Sequence, residues 1–129
     1  MKKLISSIIA IVFALNVSAY AEEKLTIEKQ LVGIVGAISG TVKTETRELK
    51  AGDKIYLNET IVAGAGSGTQ ILLLDQSTFT IGEDSEVVMD TFIFDPETND
   101  GKIVASVKQG SLKVISGLIS KKNPDSLTV

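Results

Sequence analysis

Turn residues recur at intervals of roughly ten residues from residue 31 onward, and β-branched segments lie between them. This spacing is typical of a sandwich, a barrel or a β-solenoid, and no stretch after residue 30 carries a helical stripe over three turns. We therefore predict a single all-β domain of about 8–10 short strands. The turn positions are Gly40, Gly52, Gly64–Gly68, Gly82, Asn99–Gly101, Gly110 and Gly117.

Apolar and polar residues alternate in the segments between these turns. Ile71 and Leu73 fall on one face of a predicted strand, while Thr78 and Thr80 of the next segment point to the opposite face. Side chains alternate across a strand, so this pattern predicts one packed face and one wet face. The remaining predicted inward positions are Ile55, Leu57, Phe79, Ile81, Ile103, Ala105, Val107, Leu112 and Val114.

Two segments depart from this alternation because they are apolar on both faces. They are Leu31–Ile38 and Ile71–Leu74. A strand that is covered on both sides has such a sequence. We therefore expect a curled sandwich or a β-helix-like solenoid rather than a flat open sheet.

The N-terminal segment has the pattern of a secretory signal peptide. Lys2 and Lys3 precede the apolar segment 4–15, and Ala19 and Ala21 supply the small residues of a cleavage site. The alternative, an uncleaved membrane anchor, is disfavoured because polar residues dilute a segment that should hold roughly 20 apolar ones. We predict a signal helix and peptide at 1–21, a lead-in segment at 22–30 and the β domain at 31–129.

The predicted mature chain is acidic. Removing Lys2 and Lys3 leaves 11 basic against 16 acidic residues, a net charge of −5. That charge opposes phosphate backbones, so we expect no nucleic-acid partner. The signal predicts a periplasmic or secreted protein of a Gram-negative-type envelope, which touches the membrane only transiently through that peptide.

The residues needed for most catalytic chemistry are missing from the sequence. The chain contains no His and no Cys, which excludes Ser-His-Asp and Cys-His arrangements and the usual zinc ligand sets. A pair of carboxylates among Asp75, Glu83, Asp84 and Asp90 remains as a hydrolase alternative. Asp75 and Asp84 stand at turns, where Asp usually bonds its own backbone. We therefore predict a non-enzymatic protein.

Two loops have a superficial likeness to ligand-binding motifs. Asp95–Gly101 departs from a calcium loop because its Gly is one place late and Ser106 stands at the twelfth position. Gly64–Gly68 lacks the spacing and the Lys-Ser/Thr ending of a phosphate loop. We predict a polar hairpin and a sharp corner at these places, and no metal or cofactor.

Phe92 and Phe94 are the candidate interaction residues. In a strand they share one face, with Ile93 on the other. One of these faces belongs to the core, so burial of the two phenylalanines is the competing interpretation.

An ordered set of short motifs resembles the FecR domain family over roughly residues 35–129. The set begins with Gly40-Thr41-Val42 and Gly52-Asp53 and ends with Gly110-Ser111-Leu112 and Ile115-Ser116-Gly117. The elements between them are Leu49, Ile55, Ile61, Gly66-Ser67-Gly68, Leu74-Asp75-Gln76-Ser77, Ile81-Gly82 and Ser85.

The resemblance implies an all-β periplasmic domain, which in the family's founding proteins reads the state of an outer-membrane siderophore transporter and signals to a sigma factor. This chain has a cleavable signal instead of a cytoplasmic anti-sigma segment. Gln76 stands where the family usually carries Gly. The family usually continues after the position of Val129, so the resemblance implies a truncated chain with a missing final strand and an unpaired edge.

Two functional hypotheses follow. The first is a binding or signal-relay module of FecR type whose partner is an envelope protein, engaged by strand addition to an exposed edge. The alternative is a glycan- or cell-wall-binding module of a larger surface protein, with Phe92 and Phe94 as its aromatic contacts.

Overall fold

Ten strands pair into two five-stranded sheets in the computed structural model, which describes residues 29–129. The prediction of an all-β sandwich is confirmed. The predicted signal peptide 1–21 and most of the lead-in segment 22–30 lie outside the described residues. The strands are β1 (Leu31–Ser39), β2 (Val42–Lys43), β3 (Lys54–Tyr56), β4 (Thr60–Ala63), β5 (Gly68–Leu73), β6 (Thr78–Ile81), β7 (Ser85–Phe94), β8 (Gly101–Gln109), β9 (Leu112–Ile115) and β10 (Leu127–Thr128).

The strand orders show which strands lie at the edges. Sheet A has the order β3-β1-β5-β6-β9, and sheet B has the order β10-β8-β7-β4-β2. Neighbouring strands are antiparallel except for β10, which runs parallel to β8. Between β9 and β10 lie a short helix α1 (Leu118–Lys122) and a 3-10 helix (Pro124–Ser126). No helix among residues 29–129 has the length and hydropathy needed to span a membrane.

The inward side chains of both sheets form one hydrophobic core. In sheet A, the register places Val35 opposite Ile71, Ile71 opposite Phe79 and Phe79 opposite Val114. The first three are almost completely buried, and Val114 is half-buried against the core. Each large side chain that is fully buried stabilises the fold by about 1.5–3 kcal/mol. The alternation seen in the sequence therefore predicts the inner face correctly.

The expectation that two segments would be covered on both faces is wrong within the described residues. Ile34 of β1 is 41% exposed, and Leu72 and Leu74 at β5 are 43% and 48% exposed. A two-layer sandwich has only one covered face for each sheet, so apolar residues on the other face meet solvent.

Four strands of sheet A correspond to four strands of sheet B. Exchanging β1, β5, β6 and β9 for β8, β7, β4 and β2 preserves their order in the sheet and turns the connections β1–β2 and β4–β5 into β8–β9 and β6–β7. The outer strands differ, because β3 is antiparallel to β1 whereas β10 is parallel to β8. The sandwich therefore has an approximate two-fold relation between its layers. No regular repeat was predicted from the sequence, because the intervals between its turn glycines are uneven.

The crossings between the sheets share one hydrogen-bond pattern. Thr41, between β1 and β2, donates its N–H to Ser67 Oγ at 2.9 Å, and Ser111, between β8 and β9, donates to Ser85 Oγ at 2.9 Å. The carbonyls of Thr41 and Ser111 accept from Gly64 and from a second glycine, Gly82, at 3.1 and 3.2 Å. The equivalence of the layers thus extends to individual backbone bonds.

Glycine is required immediately before each of these donors. Gly40 and Gly110 have φ of 73° and 80°, a region that L side chains rarely occupy. A Cβ at Gly40 would lie 2.3 Å from Ser67 Oγ, and a Cβ at Gly110 would lie 2.1 Å from Ser85 Oγ. Only glycine lets the chain turn so close to the serine that receives its hydrogen bond.

Candidate functional site

The structure places Phe92 in the core and Phe94 at the periphery of the core. Phe92 is 3% exposed and Phe94 is half-buried against the same core. Ile93, on the opposite face of β7, is 61% exposed. The prediction that Phe92 forms an exposed contact surface is therefore wrong, because its strand face belongs to the core of the sandwich.

The four carboxylates of the hydrolase alternative lie in different settings. Glu83 is exposed and accepts from Gly66 N at 3.1 Å. Asp84 and Asp90 are exposed, the first in a turn and the second on β7, where it accepts from Ser106 Oγ. Asp75 has no exposed surface. A substrate cannot reach a carboxylate that is sealed in this way. Among residues 29–129, no group of three or more acidic residues is arranged to hold a metal ion.

Asp75 instead holds the chain segment that follows β9. Its carboxyl oxygens accept from Ser77 N at 3.1 Å, from Ser77 Oγ at 2.9 Å and from Ile119 N at 3.3 Å. Its carbonyl accepts from Leu118 N at 2.7 Å, and Ser77 Oγ accepts from Gly117 N at 3.1 Å. The prediction that Asp75 bonds its own turn is confirmed, and the turn Asp75–Ser77 also anchors α1.

Four of the six large exposed apolar side chains among residues 29–129 lie on the outer side of sheet A. Ile34 pairs with Leu72, Leu72 pairs with Thr78, and Thr78 pairs with Ile115 of β9. Residues that are directly opposite share a face, with Cβ atoms about 4.5–5.5 Å apart. Leu74 lies two positions beyond Leu72 on the same side of the chain. We call Ile34, Leu72, Leu74 and Ile115 the sheet A patch; they are 41% to 54% exposed.

The charged residues on the strands of sheet A are all basic. The five strands of sheet A contain no Asp or Glu, although the chain has 16 acidic residues. Lys54 is directly opposite Ile34 at the β3 end of the row, and Lys113 lies beside Ile115 at the other end. The outer face of sheet A therefore combines the apolar patch with uncharged polar residues such as Gln70 and Thr80, and has a lysine at each side.

A shallow hollow lies beside the patch on the same face. It has a volume of about 390 Å³ and is lined by outward residues of three adjacent strands, Ala37, Gln70 and Thr80, and by neighbouring backbone. Gly68 and Gly82 also line it. Small side chains at the crossing end of the sheet produce this hollow next to the larger side chains of the patch.

Two equivalent edge strands differ in what covers them. Beyond β2, the chain folds back so that Leu49 donates its N–H to Val42 O at 2.8 Å, and Glu48 bridges to Lys43. Beyond β9, the chain turns inward to Asp75 and no described segment lies along the strand. Within residues 29–129, β9 is therefore an open edge.

The groove on sheet B has a different character. It has a volume of about 720 Å³ and is lined by side chains of both charges, including Lys43, Arg47 and Glu86. Arg47 pairs with Glu59 at 3.0 Å. A hydrogen bond from Thr60 lowers the pKa of Glu45, which also lines the groove. Charges of both signs line this groove, and Arg47 and Glu45 already have hydrogen-bond partners within the chain.

Fold and surface together define an all-β sandwich with an apolar, lysine-flanked patch on one face and an open edge strand beside it. Comparison of the chain with protein-family models, with characterised proteins and with solved structures finds no match.

Proposed function

We propose that this chain is a non-enzymatic binding and signal-relay module of FecR type, located in the periplasm or secreted, and that it binds an envelope protein through the outer face of sheet A. The sheet A patch is the observation that carries the proposal. Single exposed apolar residues are ordinary, whereas a contiguous set indicates an interaction site. The absence of His and Cys from the sequence is consistent with binding rather than catalysis.

Export is tested separately from binding. Cleavage after Ala21 would leave 108 of the 129 residues. We expect envelope fractions of cells that express the full chain to contain this shorter form, with Glu22 as its first residue. An intact chain in the cell interior would contradict the proposed location.

The binding face is tested by placing a photo-crosslinking amino acid at Leu72. The matched control is the same substitution at Ile93, which is exposed on the outer face of sheet B. We expect a discrete protein adduct from position 72 in the envelope and none from position 93. Equal adducts at both positions, or none at either, would contradict a specific protein-binding face.

The glycan- or cell-wall-binding alternative has less support. Phe92, one of its expected aromatic contacts, is buried. Tyr56 remains half-buried, and Lys29 and Arg47 lie near its ring at 5.8 and 5.9 Å from the centroid. Co-sedimentation of the chain with purified peptidoglycan, without a protein adduct at position 72, would favour this alternative.

A further inference from the structure

We propose that β9 is a docking edge for an extended protein segment in which apolar and acidic residues alternate. This inference rests on the proposed function, because it names the kind of partner that the outer face of sheet A and its open edge would take. It is carried by the backbone of β9, by its half-buried inward side chains and by the charge of its outward ones.

The backbone groups of Leu112 and Val114 point to the open edge. In antiparallel pairs, hydrogen-bonded and non-bonded residue pairs alternate along the ladder. Gly82 N donates to Ser111 O, so the next bonded positions on β9 are 113 and 115. Leu112 and Val114 therefore direct their N–H and C=O groups away from β6, where a further strand can bond them.

The equivalent strand shows that this geometry accepts a covering segment. Val42 of β2 corresponds to Leu112, and its carbonyl accepts from Leu49 N. Thr44 N, two residues on, donates to Arg47 O at 2.8 Å. The fold itself thus fills one of its two equivalent edges with chain from the same protein.

The inward residues of β9 favour apolar partners. Leu112 and Val114 are half-buried and pack against the core. Val114 ends the buried row that runs from Val35 through Ile71 and Phe79. An apolar side chain at the inward positions of an added strand would extend that row and bury the exposed part of Val114.

The outward residues of β9 select the charge of the partner segment. Lys113 is exposed and forms no ion pair among the described residues. No strand of sheet A supplies a carboxylate to neutralise it. An acidic residue opposite Lys113 gains a cross-strand ion pair, whereas a basic residue there is repelled. With β9 only four residues long, the added ladder is short, which suits a reversible contact.

The test uses the full chain and two peptide probes of eight residues, one alternating Val with Glu and the other alternating Val with Lys. Hydrogen exchange of individual amides is followed by NMR. We expect the acidic peptide to slow exchange at Leu112 and Val114 by about tenfold or more at a concentration where the basic peptide does not. Equal effects of both peptides, or protection only at other strands, would overturn the proposal.

Two variants and a control locate the interaction. Lys113→Glu should reverse the preference between the peptides, and Lys102→Glu, which changes the same charge on sheet B, should leave it unchanged. Val114→Pro removes the N–H of residue 114, which β6 does not use, so it should lower the affinity for the acidic peptide by about tenfold. Should Val114→Pro unfold the chain, the Lys113→Glu result still decides. An unaltered preference in Lys113→Glu would refute the predicted charge selection.

Other occupants give separate outcomes. A dimer in sedimentation that Lys113→Glu dissociates or strengthens would assign β9 to a second copy of this chain and overturn the proposal. A face-specific adduct at Leu72 combined with no peptide protection at β9 would overturn strand addition and leave the proposed function standing. If no adduct forms at Leu72 but the peptide still protects β9, strand addition stands and the proposed function is overturned.

Discussion

Four strands of sheet A are paired in the same way as four strands of sheet B, but the two sheets present different surfaces to their surroundings. The β2 edge of sheet B is covered by returning chain, and its outer groove carries both charges. The equivalent β9 edge of sheet A is open within the described residues, and its outer face carries an apolar patch with lysines at the sides. Matching strand pairing therefore does not make matching surfaces, and the open side is the one that we propose a partner binds.

The cause of the difference lies in the few residues that follow each edge strand. After β2, Leu49 is 3% exposed and fixes the returning segment against the core. After β9, Gly117 approaches the Asp75 turn so closely that a Cβ would lie 2.3 Å from Ser77 N and 2.4 Å from Asp75 O. The segment that follows β9 therefore packs against the Asp75–Ser77 turn and does not lie along the β9 edge.

The largest expected effect comes from removing the anchor that keeps β9 open. Asp75→Ala leaves Ser77 N, Ser77 Oγ and Ile119 N without their partner in a buried site. Buried donors that lose an acceptor cost about 1–3 kcal/mol each, so we expect the free energy of unfolding to fall by about 3–4 kcal/mol in chemical denaturation.

The control for this prediction is Asp95→Ala. Asp95 also caps a turn, through Glu97 N at 3.0 Å, but it is exposed. We expect a loss of about 1 kcal/mol or less there, because water replaces the lost acceptor. Similar losses in the two variants would show that Asp75 is an ordinary turn residue.

The second prediction compares two leucines, one from the covered edge and one from the open face. Leu49→Ala should lower the free energy of unfolding by about 2–3 kcal/mol, because it leaves a cavity under the segment that covers β2. Leu72→Ala should change it by about 0.5 kcal/mol or less, because Leu72 is 43% exposed. A large loss for Leu72→Ala in the same denaturation assay would mean that the sheet A patch serves stability rather than binding.

The inner faces of the strands could be predicted from the sequence because a single physical rule governs them. Phe79 and Ile81 alternate with Thr78 and Thr80, and alternation in a strand fixes which side chains meet the core. The strand number and the all-β class follow from the same pattern and from the turn residues. The loop at Asp95–Gly101 likewise connects the antiparallel strands β7 and β8, as expected.

The candidate site was harder to predict because it depends on what covers each outer face. Ile34 and Leu72 were recognised as apolar on the second face, but composition cannot tell a covered apolar face from a binding face. For Phe92 the sequence could not tell which face of β7 is buried, because both faces carry apolar residues. The hydrogen bond from Ile119 N to the Asp75 carboxylate joins residues that are 44 positions apart, and no local pattern predicts such a contact.

The third prediction concerns the exposed apolar surface itself. Leu72→Thr should reduce the binding of a hydrophobic fluorescent dye to the folded chain, because it removes the central side chain of the sheet A patch. Ile93→Thr is the control, since Ile93 is more exposed but stands apart from other large exposed side chains. We expect a smaller reduction for Ile93→Thr. Equal reductions would indicate that the patch does not act as one continuous surface.

The smallest expected effect is a fall in the free energy of unfolding at low pH. It should come from carboxylates of sheet B and the loops, since no strand of sheet A carries one. The hydrogen bond from Thr60 lowers the pKa of Glu45 in the folded chain. A lowered folded pKa gives stability that is present above the unfolded value and is lost as the pH falls through the folded one. Glu45 is exposed and screened by solvent, so we expect a loss of only about a few tenths of a kcal/mol below roughly pH 4.

The measurement is the free energy of unfolding between pH 7 and pH 3 for the wild type, for Glu45→Gln and for Glu48→Gln. Glu48→Gln removes the same charge from the same groove without touching Thr60, so it should keep the acid-dependent increment that Glu45→Gln loses.

The acidic peptide offers a sharper form of the comparison, because its binding to sheet A should weaken in the same pH range through its own carboxylates. If Lys113→Glu retained that pH dependence for the acidic peptide with unchanged sign and size, the charge contrast between the two sheets would not govern recognition.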